Sequence, residues 1–212
     1  MRNKGISDSI QDWQLTIDAA RADVTITKEL AKQGYNADRM TEGVGLVSEF
    51  KEQQQAYQQA IGDQCGATDA LQLAQETANA TYIFHVKIAR LAIPKDRDLW
   101  RTLQLNGIRE KSLNGWLEQT ESFYNNLPEA LPLMKNHGVT AASIEQAKEQ
   151  IQAVRDARVS QTHRKGATQI SKQQRDETLA RLEEWMEDFI RTAKFVYAKN
   201  PQQLESLGIT AG

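Results

Sequence analysis

Apolar side chains recur at steps of three and four from the start of the chain: Ile6, Ile10, Trp13, Ile17, Ala20 and Val24, then Leu30 and Ala31. That spacing predicts one face of a long first helix. Gly34 is its expected left-handed stop. Asn36 then caps a second helix, with Tyr35 and Met40 placed as a hydrophobic staple around the cap. The second helix carries Met40, Val44, Val47, Phe50, Gln54, Tyr57 and Ile61 on its seam. A third carries Ala74, Thr77, Thr81, Phe84, Ile88 and Leu91, and Gly66-Ala67-Thr68 reads as the punctuation between the two. Asp96 opens a short fourth helix. No stretch sustains the two-residue alternation of a half-buried strand.

The pattern then repeats at an offset of about 104 positions. Gly34-Tyr35-Asn36-Ala37 is answered by Gly138-Val139-Thr140-Ala141, Trp13 by Trp116, and Leu103-Gln104-Leu105 by Leu207-Gly208-Ile209. Thr140 caps where Asn36 caps, Val139 can staple to Ile144, and Gly166-Ala167-Thr168 punctuates where Gly66-Ala67-Thr68 does. Asn200 and Pro201 start the last short helix. Two positions break helix rules. Pro128 and Pro132 predict a break and restart near Asn126. Gly43 and Gly45, inside the second helix, predict a close helix approach. The expectation is an all-α, up-and-down helical bundle of two repeated three-helix units, each with a short extra C-terminal helix. The repeats span residues 1–107 and 108–212 and pack together as one globular unit, because short turns imply antiparallel neighbours.

Composition agrees with helix and bounds the function. Of 212 residues, 40% are hydrophobic and 25% charged, which is globular rather than disordered. A net charge of −2 exerts no global pull on nucleic acid or anionic lipid. The single cysteine, Cys65, forms no internal disulfide, and no apolar run follows the basic start, so a cytoplasmic protein is expected. The most apolar stretch, Tyr82 to Ile93, is broken by His85, Lys87 and Arg90 and is too short to span a bilayer.

Candidate chemistry is sparse. No catalytic motif of the Gly-x-Ser-x-Gly, His-Glu-x-x-His, Walker or dinucleotide type is present, so no catalytic residue, metal ligand or cofactor is expected. His85 falls where the repeat has Phe189, which reads first as a packing site with a hydrogen-bonded imidazole. It is also the first candidate for a small-molecule site in a cleft between the repeats. Arg155, Arg158, Arg164, Lys165, Lys172 and Arg175 form the one local excess of charge, a candidate anion or nucleic-acid site near a helix start. The stretch lacks the interleaved aromatic residues of a nucleic-acid stripe, which argues against nucleic acid. The acidic cluster Glu183, Glu184, Glu187 and Asp188 has no histidine beside it and reads as a solvated face.

The closing segment, from Glu184-Trp185-Met186-Glu187-Asp188-Phe189 to Asn200-Pro201-Gln202-Gln203-Leu204 and Leu207-Gly208-Ile209, resembles the C-terminal end of uncharacterised bacterial all-helical proteins. The resemblance implies a bacterial, helical, duplicated protein and carries over no functional residue. The leading expectation is a non-enzymatic interaction or scaffold bundle, with another protein or a second copy of the chain as partner. The alternatives are an anion binder and a small-molecule site.

Overall fold

A computed structural model describes residues 5–94 and 97–210 of the chain. It is all-helical, with 85% helix and no strand among the described residues. The α-helices are α1 (Ile6–Ala22), α2 (Val24–Ala31), α3 (Ala37–Ala92), α4 (Arg97–Thr102), α5 (Leu113–Asn126), α6 (Leu131–Met134), α7 (Ala141–Val196) and α8 (Pro201–Ser206). Among the described residues no helix is long and apolar enough to cross a membrane.

Local chemistry explains most boundaries. Gly34 and Gly138 both adopt left-handed backbone, with φ of +94° and +84°. After each of them a side chain caps a long helix: Asn36 Oδ1 accepts the Arg39 amide at 2.9 Å, and Thr140 Oγ1 accepts the Ser143 amide at 3.1 Å. The staple residues Tyr35, Met40, Val139 and Ile144 are all buried. α5 ends at Asn126, and the chain passes through a 3-10 turn, Leu127–Ala130, before α6. Pro128 and Pro132 sit in the first turns of the segments that follow, where a missing amide costs little.

Other boundaries fall differently from expectation. The first long helix is broken at Asp23, whose carboxylate accepts the Thr25 and Ile26 amides and so starts α2. The second and third helices expected in each half are one helix, and α3 and α7 each run for 56 residues. Gly66 and Gly166 do not stop them, because an interior glycine costs only about 1 kcal/mol beside Gln, Ala and Glu. Thr68 stays in the helix by donating back to Gln64 O at 2.9 Å. Asn200 precedes α8 without a side-chain cap bond. Asp96 lies outside the described residues.

The chain forms two compact units, and neither coincides with a sequence repeat. Unit 1 comprises residues 1–61 and 167–212; unit 2 comprises 62–166. Residues 107 and 108 therefore both belong to unit 2, and the repeat boundary does not separate compact units. The physical cause is the length of α3 and α7, each of which contributes to both cores.

In unit 1, Ile17, Ile26, Leu30 and Val47 pack with Leu182 and Phe189. The start of α3 runs antiparallel to the end of α7 there. Gly43 faces Trp185, Glu49 bonds to Arg181 at 2.9 Å, and Ala60 O accepts from Thr168 Oγ1 at 2.9 Å. In unit 2, Tyr82, Leu103, Phe123 and Leu127 pack with Ile151 and Val154. Antiparallel pairing recurs, with Asp63 bonded to Arg164 at 2.9 Å and Thr68 to Gln161 at 3.3 Å. Both cores thin out along these helices: no residue of 51–61 or 167–177 in unit 1, nor of 62–70 or 155–166 in unit 2, is buried. Polar bonds replace the apolar seam there.

The glycines of α3 make a paired test. A Cβ on Gly43 would lie 2.5 Å from the Trp185 ring, whereas one on Gly45 would meet open space. Gly43→Ala is expected to lose about 1–3 kcal/mol by overpacking. Gly45→Ala is expected to gain up to about 1 kcal/mol from helix propensity. Urea unfolding monitored by circular dichroism measures both signs.

Candidate functional site

His85 sits on α3 inside the core of unit 2 and is 2% exposed. Its Nδ1 lies 2.9 Å from the Tyr124 hydroxyl, and the two rings meet edge to face at 5.7 Å. Burial lowers the pKa of the imidazole and raises that of the Tyr124 hydroxyl. At neutral pH His85 is therefore a neutral, hydrogen-bonded core residue. Around it, Tyr82 packs on Phe123 at 5.3 Å and takes a hydrogen bond from Arg109. Burial raises the Tyr82 pKa, and the nearby Arg109 charge draws it back down.

The basic stretch lies on α7 and is largely committed to neighbours. Arg155 Nε donates to Glu121 on α5 at 2.6 Å, and Arg158 donates to Asn114. Arg164 pairs with Asp63. Arg175 donates to Asp176 at 2.8 Å and lies over the Tyr57 ring at 4.4 Å. Lys165 and Lys172 are exposed and make no ion pair among the described residues. Helix geometry scatters the set further, since nine residues between Arg155 and Arg164 are about two and a half turns and put them on opposite sides. Arg155, Arg158, Arg164 and Lys165 belong to unit 2, and Lys172 and Arg175 to unit 1. Only Arg155 and Arg158 come together, with His163, around a cavity of about 320 Å³ floored by Leu117 and Val159.

Two arrangements carry no signal in the sequence pattern. One ties the loop after α4. Gln119, 7% exposed, accepts the Glu110 amide at 3.0 Å and donates to Ile108 O at 3.0 Å. Arg90 Nε donates to Leu105 O at 2.9 Å, and Gln104 holds a φ of +50°. Gln104 and Gly208 end the short helices α4 and α8 in the same way, each followed by an amide bonded five residues back: Leu105 to Trp100 O and Ile209 to Leu204 O. The other is a polar crevice of about 250 Å³ in unit 1, lined by Arg39, Glu42, Arg181, Glu184, Trp185 and Asp188. Its charges are mostly paired: Arg39 with Glu42 at 3.3 Å, Arg181 with Glu49 and Asp188 with Arg191 at 3.2 Å. Among the described residues no group of three or more His, Cys, Asp or Glu side chains is placed to hold a metal ion.

The chain matches no known protein family, no curated protein and no solved structure, so no residue role is carried over from a relative.

The buried imidazole sets a pH dependence. Its folded-state pKa lies below the unfolded value of about 6.5, so the neutral form's contribution is fully present above that pH and is lost as pH falls. Stability is expected to drop by up to about 1.4 kcal/mol per pH unit below 6.5. The variant His85→Phe/Tyr124→Phe, which leaves no hydroxyl unpaired, should be flat between pH 7 and 5.5. Urea midpoints at the two pH values compare them.

Proposed function

We propose that this protein is a non-enzymatic interaction or scaffold bundle, cytoplasmic and of bacterial type, built by duplication of a unit of about 104 residues. Duplication is supported by features recurring at one offset. These are the equal lengths of α3 and α7, the left-handed glycines before them, and the matching helix ends at Gln104 and Gly208. The interaction reading is carried by one observation. Large apolar side chains stand out from the surface, with Leu15, Phe84, Leu91, Ile108 and Phe195 all more than half exposed, while the histidine and arginine candidates for chemistry are bound into hydrogen bonds within the fold. Apolar area left in water favours association with another protein surface.

Anion binding is the second reading, and it rests on Lys165 and Lys172. Because Arg155, Arg164 and Arg175 already have carboxylate partners, an incoming phosphate would compete with bonds in place.

Native mass spectrometry of the full chain tests the assignment. A spectrum of subunit multiples, or of the chain with a bound polypeptide, is the expected outcome. A retained small molecule or metal would overturn it. Phosphate or oligonucleotide binding that weakens steeply as salt rises would establish the second reading instead.

A further inference from the structure

The seam expected for the third helix is not where the chain places it. Leu73, Phe84 and Leu91 are 66%, 53% and 69% exposed on α3, within unit 2. They are spaced by 11 and 7 residues, close to three and two full turns, so they form one stripe about 27 Å long. Thr77 and Ala80 fill the gaps in the stripe. The Thr77 hydroxyl donates back to Leu73 O at 2.9 Å, which satisfies its polar group without solvent. The positions about 104 residues later, on α7 in unit 1, are Glu177, Arg181, Glu184, Asp188, Arg191 and Phe195. That second face is charged and internally paired, through Arg181 with Glu49 and Arg191 with Asp188. On the α3 copy Leu73, Ala80, Phe84 and Leu91 take the places of Glu177, Glu184, Asp188 and Phe195, and Lys87 alone is charged, in the place of Arg191.

The α3 stripe is also complementary to itself. Counted from position 82, Leu73 and Leu91 lie nine residues to either side, and Ala80 and Phe84 lie two to either side. Glu76 and Lys87 lie six residues before and five after, on the same flank of the stripe, and neither makes an ion pair among the described residues. In an antiparallel helix pair the same flanks face each other. A two-fold axis at position 82 therefore sets opposite charges against each other, twice by symmetry.

We propose that this face is the interface between two copies of the chain, packed antiparallel through α3 about a two-fold axis near position 82. Leu73 meets the partner's Leu91, Ala80 makes room for the partner's Phe84, and Glu76 faces the partner's Lys87. A helix pair of this length buries on the order of 1,000 Å², the low end of specific interfaces, which fits a weak, concentration-dependent dimer. This inference rests on the interaction reading above and gives it a surface and an occupant.

Sedimentation equilibrium of the full chain in reductant, from about 1 to 200 µM, tests it. The wild type is expected to dimerise, and Phe84→Glu to weaken the dimer by at least about 100-fold at unchanged helicity. Lys87→Glu sets Glu76 against the partner's new carboxylate at both ends and should weaken it about 5-fold. Glu76→Lys combined with Lys87→Glu should restore it, which a helix that merely unfolds would not do. A wild type monomeric at 200 µM overturns the proposal, as does a dimer indifferent to Phe84→Glu and Lys87→Glu. In the first case the interaction reading stands or falls separately, on whether native mass spectrometry finds a bound polypeptide or a small molecule.

Discussion

Antiparallel packing of a stretch of α3 against a stretch of α7 closes the core in both compact units, and everything else is fitted onto that pair. In unit 1 it brings Gly43 under Trp185 and Glu49 to Thr178 and Arg181. In unit 2 it brings Asp63 to Arg164 and, in the core, Val86 and Ala89 into one cluster with Ile144, Ala147 and Ile151. Because α3 and α7 each contribute to both units, each core is made of segments distant in the chain.

The two cores solve the same packing problem with different side chains. Where unit 1 sets Gly43 against Trp185, the positions about 104 residues away are Ala147 and Thr81 in unit 2. A smaller ring-free residue on one helix allows a methyl on the other. Phe189 stacks flat on Trp185 at 5.3 Å in unit 1. Its counterpart His85 bonds to Tyr124 in unit 2, where unit 1 has the small Ala20. The polar pair in unit 2 introduces a titratable group that unit 1 lacks at that place. The two cores therefore share the helix pairing and differ in the titratable groups they enclose.

Charged side chains follow the same economy. Along the parts of α3 and α7 with no buried residue, ion pairs and hydrogen bonds such as Arg164 with Asp63 and Thr168 with Ala60 O take the place of an apolar seam. These exposed contacts are individually weak. They also occupy the arginines that a linear reading of residues 155–175 assembles into an anion site. Exposed apolar side chains remain on several elements, Leu73, Phe84 and Leu91 on α3 among them.

Much of the local structure was legible in the residues themselves. Caps at Asn36 and Thr140, stops at Gly34 and Gly138, the staples beside them and the break before Pro128 all depend on a few adjacent side chains, and their physics is complete within one turn of helix. The close approach at Gly43 was legible for the same reason, because a bare Cα inside a helix has few uses other than packing. Two things were decided only by tertiary structure. Phe84 and Leu91 are exposed because helical period fixes which residues share a face, whereas burial depends on whether another element covers it. Arg155, Arg164 and Arg175 are paired with the carboxylates of Glu121, Asp63 and Asp176, and Arg158 donates to the Asn114 amide oxygen; all but Asp176 lie far away in the chain. Charge that is clustered in sequence becomes a binding site only if the fold leaves it unpaired, and pairing at long range is a property of the packed molecule.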